Sequence, residues 1–396
     1  MHEMQAGAAQ TLRADEADKE ESDAARLTRN FYAGKVMPAA QLDLFRNRGW
    51  IFAQRDIPRG KHVRPLHRAA DQIDDVTIAT AAGSYDLVDY VSRNRVAGLL
   101  ILHNGRVALE QYELGNDATT PWISMSVAKS VGTTLIGAAI RDGLIDSIED
   151  LLTHYLPQLK NSAYDGVTVR HLLQMTTGLC WDETHTLAAS ERRHMLELQI
   201  EQKPGIVLRY LASRPRIAPS GTSFVYGTGD AHVIGVLLHA VTGGWVSDYL
   251  SKKIWSTIGM EHSAQWWLEA PGGLEAAGSG INATLRDYAR FGQFFLEGGV
   301  VGTESILPPG WMREAGSSRT IGGKRIDYGY MWWPVPGRDG TFADGAFSAR
   351  GIFGQYIYIN PALQLVIVTL SARSKPRFAE VILDNDFFNA VADLYR

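Results

Sequence analysis

Two residues with chemistry of their own stand three apart in "WISMSVAKSVGTTL", residues 122–135: Ser126 and Lys129. Apolar residues recur around them at helical spacing from 125 to 142 and stop at Gly143, so the segment reads as a buried helix. Positions i and i+3 share a helix face, which lets the Ser126 hydroxyl meet the Lys129 amine. An alcohol is a poor nucleophile until a base takes its proton. A lysine desolvated at a helix start has its pKa pushed down and can be that base, or tune one. The first turn also presents free backbone N–H groups and the positive end of the helix dipole, both favourable to an oxyanion. On a solvated helix face the same pattern would mean nothing, and S-x-x-K alone matches by chance in most chains of this length.

The elements that must position this pair are legible in outline. "GLLILHNGRVALEQYEL", 98–114, is two β-prone runs around Asn104-Gly105, a hairpin signal because both central residues must take φ > 0. "GQYIYINPALQLVIVTL", 354–370, is a second hairpin turning at Asn360-Pro361, and "YGYMWWPV", 328–335, a third C-terminal strand. Between these ends the chain is mainly helical: 168–178 starts on a Thr and stops on a Gly, 230–244 starts on Asp230, 284–299 repeats the form, and 378–396 closes the chain as an amphipathic helix. The pattern predicts an α/β (α+β) protein. Residues 31–120 and 320–396 form an antiparallel sheet domain flanked by terminal helices, and 121–319 a mainly helical domain, with the site at their interface. Residues 1–30 are expected to be a disordered or frayed leader, being mostly charged over 13–26.

Composition narrows the function classes. The chain has 396 residues, 45% of them apolar, enough for a large core. A net charge of −4 with no basic stripe argues against nucleic acid or a membrane surface as partner. The single cysteine, Cys180, permits no internal disulfide and reads as a small buried hydrophobe. With no apolar run of about 18 residues and no signal-peptide core, a cytoplasmic protein is expected. His154, His171 and His194 lack H-E-x-x-H spacing, so no metal and no other cofactor is expected. "GTGDAHVIG", 227–235, does not follow a strand of a βαβ unit, which weakens a nucleotide-binding reading.

The stretch "SMSVAKS…GAAIRDGLID" resembles the nucleophile helix of the β-lactamase/penicillin-binding-protein family of serine hydrolases, whose signature is S-x-x-K. "PSGTSFVYGTGDAHVIGVLLHAVTGG", 219–244, is similar to the family's tyrosine loop and following helix, with Tyr226 as the tyrosine and Thr228 where Asn or Ser is usual. "FSARGIFGQYIYINP", 347–361, matches the strand that ends in G-x-F-G-Q but lacks K-T-G. Within the family, "MSVAKS", "YDGVTVRHLLQM", "TLRDYARFGQFFLEGG", "GIFGQYIYINP" and "RGWIFAQRDIPRG" look like segments of the 6-aminohexanoate-dimer (nylon oligomer) hydrolases and related class C-like esterases. The resemblance spans about residues 90–372 and implies a β-lactamase/transpeptidase-like fold. It implies Ser126 as nucleophile, Lys129 as general base or its tuning partner, and Tyr226 as proton shuttle, acting as one coupled system. It also implies an oxyanion hole from the backbone N–H groups of Ser126 and Ile352, the latter just after Gly351.

The departures shape the expected substrate. Without K-T-G the usual grip on a substrate carboxylate is missing; Arg350 lies nearby but reads as an exposed surface arginine. By alignment His185 of "CWDETH" stands where the nylon-oligomer enzymes use a further tyrosine, which favours ester over amide cleavage unless the imidazole supplies the proton. Gly351, Thr228 and His185 are candidate substrate contacts. Trp181, Trp266-Trp267 and Trp332-Trp333 are candidates for an apolar acyl pocket, Trp181 first among them, although core packing is the commoner fate of a tryptophan. The expected activity is hydrolysis of small carboxylic esters or linear amides through an acyl-serine. An acyl transferase or D-amino peptidase/β-lactamase-type activity at the same site is the rival among enzymes, and a non-catalytic binding or sensing protein the rival outside them. The expected partner is a small-molecule ester or amide, with a homodimer left open.

Overall fold

The sequence from 96 to 103, VAGLLILH, is continuously apolar, as a strand covered on both faces must be. A computed structural model describing residues 22–396 places it at the heart of an antiparallel sheet. Ten strands matter here, in chain order: β1 (Gln54–Ile57), β2 (Val96–His103), β3 (Arg106–Tyr112), β4 (Pro121–Ile123), β5 (Ala264–Trp267), β6 (Ile281–Thr284), β7 (Trp333–Pro334), β8 (Phe347–Gly351), β9 (Gln355–Asn360) and β10 (Leu365–Ser371). The main sheet runs β7-β8-β9-β10-β2-β3, so the C-terminal β10 pairs with the N-terminal β2, Ile367 opposite Ile101. The hairpin β2–β3 turns on Asn104 (φ +51°) and Gly105 (φ +71°), and β9–β10 turns after Asn360, whose side chain accepts the Leu363 N–H at 3.1 Å.

Five helices complete the frame: α1 (Asp23–Tyr32), α2 (Val127–Arg141), α3 (Thr228–Thr242), α4 (Leu285–Leu296) and α5 (Asp384–Asp393). Every residue of α2 from Val127 to Ala139 is buried, and α3 packs against it. On one face of the main sheet Phe387 and Phe388 of α5 join Tyr90, Leu99, Ile101, Tyr358 and Ile367 in one apolar cluster. On the other lies α4, which the sequence pattern groups with the helical part. A second sheet, β1-β5-β6-β4, leads into α2. Among the described residues no single helix is long and apolar enough to cross a membrane.

Three expectations change. Residues 22–30 are not a frayed leader: Ser22 caps α1, whose Ala25, Thr28, Phe31 and Tyr32 are buried, Phe31 lying 4.5 Å from the Phe353 ring. Residues 1–21 lie outside the described part. "YGYMWWPV" forms only the two-residue β7, because Tyr328, Tyr330 and Trp332 are drawn into the core and Met331 takes φ +59°. The last helix begins at Asp384; 374–383 is irregular and passes the mouth of the site described below.

Helix α4 approaches the main sheet at Gly292, where a Cβ would stand 2.7 Å from Val366 Cγ1 and 2.9 Å from Ile357 Cγ2. Gly292→Ala gains roughly 1 kcal/mol of helix propensity but overpacks by about 1–3 kcal/mol. The variant is expected to lose about 1 kcal/mol net, read as a lower urea midpoint at unchanged m value.

Candidate active site

Strand β4 ends at Ile123, and the chain then turns sharply into α2. Ser124 N–H donates to Ile281 O of β6 at 2.7 Å, and Met125 takes φ +46°, a left-handed conformation costly for a non-glycine residue. The turn is clamped from the far side by β8. A Cβ on Gly351 would lie 2.6 Å from Ser124 O and 3.0 Å from Met125 Cβ, so only glycine lets the strand end come this close. Ser126 is the N-cap of α2, yet its side chain makes no capping bond and its Oγ is free to turn elsewhere.

It meets Lys129. Nζ lies 2.8 Å from Ser126 Oγ and 2.8 Å from the carbonyl oxygen of Gly278, and the lysine is 2% exposed. Desolvation pulls its pKa down to about 7; the charge of Glu183 opposes that and the charge of Arg192 adds to it. Tyr226 approaches from the loop before α3, its ring centroid 5.3 Å from Lys129 Nζ, and both it and Ser126 line the same cavity. Burial pushes the phenol pKa far up, Glu183 pushes the same way, and the Ser126 side chain only partly offsets them. Tyr226 is therefore a phenol, not a phenolate, at neutral pH, while the amine is the group poised to change charge there.

Ser126 and Tyr226 open onto a cavity of about 330 Å³, together with Gly351 and Ile352 at the end of β8. The four expected contributors from α2, the tyrosine loop and β8 are thus brought to one place. Among the described residues no group of three or more His, Cys, Asp or Glu side chains is arranged to hold a metal ion.

Other expected residues fall differently. Trp181 is not in the cavity wall; it packs behind the tyrosine loop against Gly227 and Gly229, and its indole N–H donates to Glu183 at 2.6 Å. Trp333 lines the cavity instead, 5.6 Å from the Tyr226 ring, whereas Trp266, Trp267 and Trp332 are core. Thr228 faces neither the cavity nor Lys129: both its N–H and its hydroxyl are bonded to Glu183. His185 does line the cavity, but it is buried, stacked on Tyr32, and its pKa falls to about 3 through desolvation. It is neutral at physiological pH and cannot serve as an imidazolium donor. Arg350 is half-buried in the cavity wall rather than exposed, its Nε donating to Ser348 Oγ at 2.9 Å.

Sequence reasoning missed Glu183, Arg192 and the rim residues Lys375, Arg377 and Phe378. Glu183 sits inside the quoted "CWDETH", but a single acid in an irregular segment carries no periodicity that points inward.

Comparisons with known proteins give the chain a family and a fold. The beta-lactamase family matches residues 87–388. A 6-aminohexanoate-dimer hydrolase of Paenarthrobacter ureafaciens is 28% identical over 306 residues, 74% of this chain and 76% of that protein. Among solved structures, one from Bacillus anthracis provisionally named a 6-aminohexanoate-dimer hydrolase superposes with a TM-score of 0.79 at 23% identity, covering 96% of this chain and 97% of that one. A family VIII carboxylesterase gives 0.59 at 16% identity over 82% of this chain and all (100%) of the other. At those identities the two structures speak for the fold alone, which is the β-lactamase/transpeptidase-like fold. With the family match spanning most of the sequence and the S-x-x-K pair at the head of its helix, this chain belongs to the beta-lactamase family of hydrolases.

Proposed function

We propose that the chain is a serine hydrolase that cleaves small carboxylic esters, and linear amides less readily, through an acyl-Ser126 intermediate. The observation that carries this reading is the buried amine of Lys129 at 2.8 Å from Ser126 Oγ, with its pKa lowered to about 7. Near neutral pH much of that amine is unprotonated and can take the hydroxyl proton as Oγ adds to the substrate carbonyl. The oxyanion then faces the N–H groups of Ser126 and Ile352 at the helix start and strand end. Tyr226, kept protonated, passes its proton to the leaving alkoxide and is reprotonated from the Lys129 ammonium. The acyl-enzyme is resolved by water, which gives one proton to the same pair and its hydroxide to the carbonyl; the pair returns the proton to Ser126 Oγ. His185, neutral and buried, adds no acid for a poor amine leaving group, which supports ester over amide turnover. The 330 Å³ cavity supports a small acyl group.

A binding protein would gain nothing from so costly a lysine. Lowering the folded-state pKa means that the unfolded chain binds the extra proton between about pH 7 and about pH 10.4. Stability therefore rises with pH across that window, and the cost is full below it.

Three outcomes are expected. A fluorophosphonate should label Ser126 and leave Ser126→Ala unlabelled, as mass spectrometry of the adduct peptide will show. Lys129→Ala should slow inactivation by about 10²–10⁴-fold, and the wild-type rate should climb with pH through about 7; an unchanged rate in that variant removes Lys129 from the mechanism. Lys129→Met should be inactive yet more stable at pH 6 by about 2–3 kcal/mol, after allowing for the orphaned Gly278 carbonyl, with the gap closing in thermal melts toward pH 10.

A further inference from the structure

Two acids line the cavity. Glu380 is near Arg373, at 3.5 Å. Glu183 is tied to the other side, and its side chain is only 10% exposed. Its Oε2 accepts the Trp181 indole N–H at 2.6 Å and the Thr228 backbone N–H at 2.8 Å, and its Oε1 accepts the Thr228 hydroxyl. Thr228 opens α3, whose N-cap, Gly227, has no side chain to satisfy the first turn. Glu183 therefore supplies that cap from a distant loop, with its charge at the positive end of a 15-residue helix. Trp181 closes the clamp: a Cβ on Gly229 would lie 2.9 Å from its ring and 2.6 Å from Leu211 Cδ2. The segment so gripped begins at Tyr226.

The charge itself is unevenly matched. Arg192 Nε is 3.9 Å from Glu183 Oε1, beyond hydrogen-bond reach, and His185 Nε2 is 3.8 Å away. Arg192 is 3% exposed, lies over the Tyr32 ring at 4.6 Å, and has no hydrogen-bond partner at Nε or Nη1. A carboxylate and a guanidinium thus stand as an ion pair without a direct hydrogen bond, both close enough to Lys129 for their charges to act on it.

We propose that Glu183 is a positioning residue for the reaction at Ser126: held by Trp181 and Thr228 it fixes the loop that carries Tyr226, and its carboxylate, with Arg192 at 3.9 Å, sets the charge surroundings of Lys129. The proposal rests on the acyl-serine reading above. Desolvation opposes the Glu183 charge, but Lys129, Arg192 and the Thr228 bond lower its pKa more, and it stays ionised. It raises the Lys129 pKa and Arg192 lowers it. The other groups that face this cluster are few. His185 is neutral, Tyr226 and Tyr328 are protonated, and Arg377 acts on His185 and Tyr226 from the rim. Asp230 of α3, bonded to Thr177 and Tyr164, is raised by burial to about 7, the same range as Lys129.

The test is the pH dependence of fluorophosphonate inactivation, with the Ser126 adduct verified in every variant. Glu183→Gln is expected to move the acid limb down by about half a unit or more, and Arg192→Gln to move it up by a similar amount. Thr228→Val, which keeps the charges and cuts one strand of the clamp, should lower the limiting rate several-fold and leave the limb in place. Asp230→Asn should leave the limb in place as well. Limbs that stay put in both charge variants, or move the same way, overturn the proposal, as does a limb that follows Asp230. Because Arg192→Gln and Thr228→Val keep the Glu183 side chain itself, they decide the matter even where Glu183→Gln folds poorly. A wild-type protein with no Ser126 adduct sinks the acyl-serine reading itself, an outcome distinct from a labelled enzyme with an unmoved limb.

Discussion

A primary amine sealed from water beside an alcohol is the constraint around which this molecule is arranged. Burying an ammonium costs several kcal/mol, and the ordinary remedies are a carboxylate in direct contact or loss of the proton. Among the described residues Lys129 has no carboxylate in contact. It has the Ser126 hydroxyl and the Gly278 carbonyl, partners that suit a neutral amine as well as a charged one. The site thus holds the lysine between its two protonation states rather than securing either, and the reactivity proposed for Ser126 follows from that balance.

Keeping the balance demands close approach by several remote segments. Gly351 admits the end of β8 against the Ser124–Met125 turn, and Gly278 offers its carbonyl while a Cβ there would stand 2.8 Å from Thr228 Cγ2. Met125 pays in backbone strain for the sharp turn that lifts Ser126 to the head of its helix. The helix itself is buried almost all round, so its apolar residues cannot shift to relieve that strain without opening the core. Distant parts of the chain close the remaining sides: α1 brings Tyr32 under His185 and Phe31 onto Phe353, and the irregular stretch after β10 forms the rim.

Around the amine the ionisable groups are graded by their burial and by one another. His185 loses its charge, Glu183 keeps its own, and Tyr226 holds its proton. Three groups of ordinary chemistry are thereby sorted into a neutral wall, a fixed charge and a protonated phenol. Coupled sites of this kind titrate as a set, so substitution at any one of them is felt at the others.

Local rules sufficed for the Ser126–Lys129 pairing, since i and i+3 meet on any α-helix, and for the two hairpins, since the Asn-Gly turn of one, the Asn-Pro turn of the other and the long apolar strands of both act over a few residues. The resemblance of the motifs extended this to Tyr226, Gly351 and Ile352, which share the cavity mouth with Ser126. Everything that depended on which way a side chain faces escaped it. Trp181 turned behind its loop, Thr228 turned to Glu183, His185 was sealed in, and Arg350 folded inward, because each orientation is chosen by partners far along the chain. Residue types and short spacings set what chemistry is available; burial, and with it the charge each group carries, exists only once the segments pack together.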